Sequence, residues 1–303
     1  MPDRIKHARE WIPETDTMLS KRGVAPEMPI KSIGLLNDFL WGLHRQELTC
    51  IGARTSNGKS VLAIQIAWDM AKQGHSVYYM SLEMPVPRII ERIFSYECLV
   101  DNTKIWRGAT HNDPIIAEKY RRFKEKLSKT GLVLSDMIGR SVQDINAINK
   151  AFSDYPDVFI IDHLNEVSAE QNKHVAIEKY LSTIREMAIR RNTALVVCAQ
   201  INRTSRQDDD KKPQLHQFKG SGSIEEKSDN CVLLHWNYLY SHDEDEKNKM
   251  QVFVAKNRYG ATGHGEIYIH PEYSRLSDDG RVFNNDPTPP EPNHQDKEHV
   301  WQE

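Results

Sequence analysis

Five short apolar runs punctuate the first two-thirds of the chain: Leu48–Ile51, Val77–Met80, Leu132–Leu134, Val158–Ile161 and Leu195–Ala199. They are mostly free of polar alternation, the pattern of strands covered on both faces. Longer stretches with helical spacing lie between them, near 59–73, 87–99, 114–128, 142–153 and 175–191. Such alternation predicts a parallel sheet in an α/β domain. Beyond residue 200 the pattern changes. Residues 203–223 are polar and glycine-rich, as a loop is. Cys231–Trp236, Val252–Lys256 and Glu266–His270 read as further strands, with 241–250 as a charged turn.

Residues 1–33 mix polar positions with Trp11, Ile12, Met18 and Leu19, and Pro13 interrupts any long helix there. The expected organisation is an arm or linker over 1–33, one domain over 34–283, and a tail over 284–303. Pro287, Pro289, Pro290 and Pro292 give the tail the composition of a disordered segment.

Composition narrows the class. With 303 residues, 39% hydrophobic and 27% charged, the chain can bury a substantial core. Its longest apolar run, Ala194–Ala199, is six residues, far below a membrane span. The opening MPDRIKHARE is charged and carries no signal-peptide apolar region. Cys50, Cys98, Cys198 and Cys231 form no CxxC pair and no zinc spacing, so free thiols in a reducing compartment are expected. Secreted, membrane and zinc-module classes are excluded, and a cytoplasmic protein is expected. A net charge of −3 also argues against a wholly basic nucleic-acid coat, while leaving room for a local basic patch.

The sharpest chemical signal follows the first run. LTCI leads into Gly52, Ala53, Arg54, Thr55, Ser56, Asn57, Gly58, Lys59 and Ser60, and then into the apolar helical stretch VLAIQIAWDMAKQG. Against G-x-x-x-x-G-K-[ST], Ala53 stands in place of the first glycine and the rest fits. Successive backbone N–H groups in such a loop wrap phosphates, and the helix N-terminus adds its positive end. Gly58 permits close approach, Lys59 reaches the β- and γ-phosphates, and Ser60 offers a hydroxyl to Mg2+. ATP is the expected nucleotide. An ordinary Gly/Ser turn has similar composition, but not this place between a strand and a helix.

Two carboxylates fit the same chemistry. Asp162 ends the VFII run, where P-loop enzymes hold magnesium; a loop-capping role is the alternative. Glu83 follows the run 77–80, at the carboxyl end of the expected sheet, where a base can deprotonate an attacking water. A structural glutamate at a helix N-terminus is the competing reading.

SLEM (81–84), IIDHL (160–164), LVVCAQINR (195–203), GSGSIEEKSDN (220–230), VAKNRYGATG (254–263) and EYSRL (272–276) together resemble the DnaB-type replicative hexameric DNA helicases. The resemblance covers roughly residues 30–283. It implies a RecA-like P-loop NTPase fold, with a mostly parallel central sheet and additional C-terminal strands, working as an ATP-driven ring on single-stranded DNA. Glu83 then matches the catalytic base and Gln200 the sensor of the γ-phosphate. Lys256 and Arg258 match the pair that reaches a neighbouring subunit's ATP site, where an arginine offsets charge growing on the phosphoryl oxygens. Relatives usually carry an N-terminal collar domain that meets primase. Only about 33 residues precede the ATPase domain here, so a compact phage- or mobile-element-like form in a bacterial host is expected, with primase or a helicase loader as the candidate protein partner.

The DNA grip is expected in Arg203–Ser223, chiefly at Lys219, Gly220, Ser221 and Gly222, with Arg203 and Arg206 in support. Cations and free amides suffice for phosphate contact, whereas Asp208–Asp210 repels it. An exposed loop of mixed charge is the plainer alternative. Two other functions share the fold: a strand-exchange recombinase, and a loader or scaffold ring that does not unwind.

Overall fold

The structure, a computed structural model, describes residues 7–21, 25–139, 155–164, 173–201, 212–217 and 222–279. Among the described residues nine strands form one sheet in the order β3-β2-β4-β5-β1-β6-β7-β8-β9. They are β1 (Leu48–Ala53), β2 (Val77–Ser81), β3 (Leu132–Asp136), β4 (Val158–Asp162), β5 (Ala194–Gln200), β6 (Asn230–His235), β7 (Lys249–Asn257), β8 (Gly263–His270) and β9 (Arg275–Ser277). The first six pair in parallel, whereas β7, β8 and β9 are antiparallel additions. The expected α/β fold is present, extended by a C-terminal meander.

Period-2 geometry explains why the strand runs look continuously apolar. Successive residues feed two different cores: Tyr79, Ile160, Val196 and Cys198 face one, while Tyr78, Phe159, Ile161 and Val197 face the other. The first core is covered by α3 (Lys59–Lys72), α4 (Val86–Cys98) and α7 (Pro114–Leu127), through Trp68, Ile93, Phe94 and Phe123. The second is covered by α8 (Lys173–Arg191), through Ile177, Tyr180, Leu181 and Ile184. The short α5 (Asn102–Trp106) and α6 (Ala109–Asn112) connect α4 to α7. β3 departs from expectation. It is an edge strand, and Val133 is half exposed rather than covered.

The N-terminal region also differs from a plain linker. Ile12–Lys21 forms α1, with Pro13 in its first turn, where a missing N–H disrupts nothing. Met28, Ile30 and Ile33 are fully buried in the first core. The Ser32 N–H donates to Asp69 Oδ2 at 2.9 Å and Gln73 Nε2 to the Pro29 carbonyl at 2.9 Å, tying this segment to α3. Asp278 then accepts from the Leu35 N–H at 3.1 Å, at the start of α2 (Gly34–Leu40), so the two ends of the domain close on each other. The segment read as a charged turn holds the end of α10 (Tyr238–Ser241), a 3-10 turn at Glu244–Glu246 and the start of β7. The expected helix near 142–153, most of the 203–223 loop and the tail from 284 lie outside the described residues. Among the described residues no helix is long and apolar enough to cross a membrane.

Candidate nucleotide site and subunit contact

The loop between β1 and α3 is built by conformations that few residues tolerate. Gly58, at the N-cap of α3, has φ 81°, and a Cβ there would sit 2.9 Å from Met250 Cε. The positive φ is what demands glycine, since the Met250 methyl ends a flexible side chain that can give way. Asn57 is buried and pins the loop's shape: its Nδ2 donates to the Thr55 carbonyl at 3.1 Å and to Tyr240 Oη at 3.1 Å. Its Oδ1 accepts from the Trp236 N–H at 2.8 Å. Arg54 lies over the Tyr240 ring, 5.4 Å from the centroid. Ala53, buried at the end of β1, accepts from the Ile201 N–H at 3.1 Å. Lys59 and Ser60 open α3, with Lys59 only 7% exposed.

A cleft of about 860 Å³ lies over this loop. Thr55, Ser56, Gly58, Lys59 and Ser60 line it, together with Glu83 and Gln200. Gln200 Nε2 donates to Thr55 Oγ1 at 2.8 Å, which joins the expected sensor directly to the phosphate loop. An open cleft at the carboxyl ends of parallel strands, beside the N-terminus of a 14-residue helix, is built to receive an anion.

Asp162 is fully buried. Its Oδ2 accepts from Tyr79 Oη at 2.7 Å, while Oδ1 has no hydrogen-bond partner among the described residues. Burial, with the Asp162 charge beside it, pushes the Tyr79 phenol well above its ordinary range. The Cys198 thiol on β5 is raised by burial and then by Asp162, with Lys59 acting in the opposite direction. Asp162 and Lys59 therefore both act on this one strand end. A buried carboxylate oxygen left over in this way suits a divalent cation, which Asp162 and Ser60 would hold.

Sequence reasoning singled out Glu83 and Asp162 but missed His163, which directly follows Asp162. His163 is 5% exposed, lines the cleft, and places Nε2 3.1 Å from Glu83 Oε2. The available signal was position alone: it sits at the same carboxyl edge as both carboxylates. Arg88, Arg92, Trp106 and Trp236, which also line the cleft, were not foreseen either.

Lys256 and Arg258 are not brought to this cleft. Asn257 pairs with Asn230, and Asn230 lies one step along from Leu48, at the start of β1. The phosphate loop leaves the other end of β1, roughly 16 Å away at ~3.3 Å per residue. Arg258 Nη1 donates to Asp229 Oδ1 at 2.9 Å; Arg185 Nη2 donates to the same oxygen at 2.9 Å, and the Leu48 N–H to Oδ2 at 2.9 Å. Burial works against the Asp229 carboxylate, but these donors outweigh it and hold its pKa below the ordinary value. Lys256 Nζ donates to the Glu225 carbonyl at 2.7 Å, in α9 (Gly222–Lys227). Of the expected DNA contacts, Gly222 opens α9, whereas Arg203, Arg206, Lys219, Gly220 and Ser221 lie outside the described residues.

A strand–loop–helix phosphate site, a strand-end aspartate beside it and the 3-2-4-5-1 parallel core define a RecA-like P-loop NTPase. The chain belongs to the DnaB-like helicase C terminal domain family, whose model matches residues 31–278. It is 25% identical over 256 residues to the replicative DNA helicase DnaB of Geobacillus stearothermophilus, covering 82% of this chain and 56% of that one. It is 28% identical over 228 residues to a probable plasmid replicative DNA helicase of Chlamydia psittaci, covering 72% and 48%. The chain thus spans about half the length of these curated relatives. Among solved structures, a DnaB-like replicative helicase described with its interactions with primase superposes with a TM-score of 0.78 at 21% identity, over 90% of this chain and 67% of that one. A second solved ATPase domain gives 0.81 at 22% identity, over 90% and 99%. These two likenesses bear on the fold.

Proposed function

We propose that the chain is an ATP-dependent DNA helicase motor, a homo-oligomeric ring, six-membered by family expectation, that translocates on single-stranded DNA and unwinds duplex at a replication fork. One observation carries the reading: the phosphate site and the Lys256/Arg258 pair lie at opposite ends of the same sheet. An arginine so placed cannot serve its own nucleotide, but it can serve a neighbour's if subunits repeat head to tail around a ring.

In this mechanism the loop amides and Lys59 hold the β- and γ-phosphates. Ser60 and Asp162 would hold a magnesium ion, which would supply positive charge against the triphosphate. Glu83 takes a proton as water attacks the γ-phosphorus and the ADP oxygen leaves. Gln200, bonded to Thr55, reports the γ-phosphate to β5 and the loop beyond it. Arg258 of the adjacent subunit meets the charge that grows on the transferring phosphoryl group. Lys219, Gly220, Ser221 and Gly222, with Arg203 and Arg206, grip the DNA backbone. Lys256 ties the strand bearing Arg258 to the helix that Gly222 opens, a mechanical link between nucleotide and DNA. Primase and a helicase loader are the protein partners this reading carries.

The test is unwinding of a forked duplex by the purified chain with ATP and Mg2+, beside a native mass and ATPase with and without single-stranded DNA. Lys59→Ala is expected to lose nucleotide binding, and Glu83→Gln to keep binding and lose turnover. Lys219→Ala is expected to weaken single-strand binding and flatten its salt dependence. ATPase that ignores DNA, or a stable monomer with full turnover, contradicts the motor. DNA-stimulated ATPase without unwinding favours the recombinase or loader alternative.

A further inference from the structure

We propose that His163 is the positioning residue that aims Glu83, an inference that rests on Glu83 being the base. The two residues differ in freedom. Glu83 lies in the bend between β2 and α4, and its side chain is 53% exposed, so its carboxylate has many orientations open to it. His163 follows the last residue of β4, and its side chain is 6% exposed, which fixes the ring. The separation of 3.1 Å between His163 Nε2 and Glu83 Oε2 lets an Nε2–H donate to the carboxylate. Nδ1 is buried and has no hydrogen-bond partner among the described residues, in keeping with the ring proton on Nε2.

The contact engages one carboxylate oxygen and leaves the other for water. Because β4 carries both Asp162 and His163, the strand that presents the metal ligand also sets the direction of the base. Phosphates in the cleft, metal and water are then referred to one rigid element. A base held this way needs no reorganisation as water attacks, and its loss registers in turnover rather than in binding.

The experiment compares His163→Phe, His163→Gln and Glu83→Gln by kcat and KM for ATP, nucleotide affinity and melting temperature. Phe fills the ring's volume without a donor; Gln places an N–H at about the reach of Nε2. Misaimed catalytic groups lose on the order of 10- to 100-fold in rate, so His163→Phe is expected to lower kcat by that factor with KM nearly unchanged. His163→Gln is expected to recover most of it. Should the Phe side chain disrupt folding, His163→Ala gives the same comparison with no added bulk. Wild-type or faster turnover without a donor overturns the proposal, as does a Gln variant that folds normally and stays as slow as Phe. A loss that appears wholly in nucleotide affinity overturns it too. Glu83→Gln separates the two levels: if it keeps full turnover, the base assignment itself fails. If it loses turnover while His163→Phe does not, only the positioning role fails.

Discussion

Arg258 Nη1 rests 2.9 Å from Asp229 Oδ1, at the end of β1 opposite the phosphate loop. Asp229 is 2% exposed and Arg258 is 56% exposed, so the pair is unequal. Asp229 retains Arg185 and the Leu48 N–H when Arg258 leaves. Arg258 is thus docked but releasable, as the proposed reach to a neighbour requires.

Arg258→Ala should therefore leave stability nearly unchanged, as the loss of an exposed, solvent-screened ion pair does. Asp229→Ala should lose roughly 3–5 kcal/mol, because it leaves Arg185 and a buried N–H without their partner. Chemical denaturation of both variants measures the contrast. If the arginine acts on a neighbour, Arg258→Ala should bind nucleotide normally yet turn over slowly. Mixing it with Lys59→Ala subunits should restore part of the activity, since some interfaces then carry both an intact loop and an intact arginine. Mixed assemblies, verified by native mass, without recovery contradict the shared site.

Asn57 shapes the loop through three hydrogen bonds while 1% exposed. Asn57→Ala leaves the Trp236 N–H and Thr55 carbonyl without these partners, a loss of about 1–3 kcal/mol. Tyr240→Phe removes one of the three bonds and should lose about 1 kcal/mol. On the proposed function nucleotide affinity should follow the same order, because this shape is the one that would present the loop amides to phosphate. Calorimetric titration of both variants with nucleotide checks it.

The sequence carried local chemistry further than tertiary placement. The strand-end positions of the glycine-containing loop, Asp162 and Glu83 were legible because the strand runs themselves stood out as apolar blocks. Pairing a strand with its neighbours was not legible in that way. Val133 belongs to a run that reads as fully covered, yet β3 is at the sheet edge. Met28 and Ile30 sit among polar residues in an apparent linker, and their burial comes from tertiary packing in the first core, with Met28 bridged to Leu43. His163 was hidden for a similar reason. Its role depends on Glu83, 80 positions earlier in the chain but on the adjacent strand's end, and no local spacing links them.

Trp68 anchors the first core and has a polar edge. It is fully buried between α4 and α7, and its Nε1 donates to Glu97 Oε2 at 2.6 Å. Burial raises the Glu97 carboxyl, but Lys126, Trp68 and Lys72 outweigh it and hold its pKa below the ordinary value. Trp68→Phe keeps much of the ring and loses the hydrogen bond, so about 1–2 kcal/mol should go. Trp68→Ala leaves a cavity and should lose about 3–5 kcal/mol. Urea midpoints at constant slope give both values. A Phe variant as unstable as Ala shows that the Glu97 bond, rather than the volume, governs the site.

His270 gives the fold a pH dependence in an accessible range. It ends β8 with 1% exposure, and its Nε2 lies 3.2 Å from Ser277 Oγ on β9. Burial lowers its pKa, with Arg275 adding to the effect and Glu272 opposing it. A histidine whose folded pKa is depressed binds a proton more readily when unfolded. Between the folded pKa and the ordinary value of about 6.5, the unfolded chain therefore holds more protons, and stability rises with pH across that window. Lowering the pH from 7 to 5 should destabilise the domain through this group. His270→Gln can still reach Ser277 but cannot charge. Its stability should fall less over the same interval, while above about pH 7 its offset from wild type should stay constant. The chain has 13 histidines, so the difference between the two curves, rather than either slope, isolates His270. Parallel curves from pH 7 to 5 show that His270 titrates equally in both states, and that the acid sensitivity arises elsewhere.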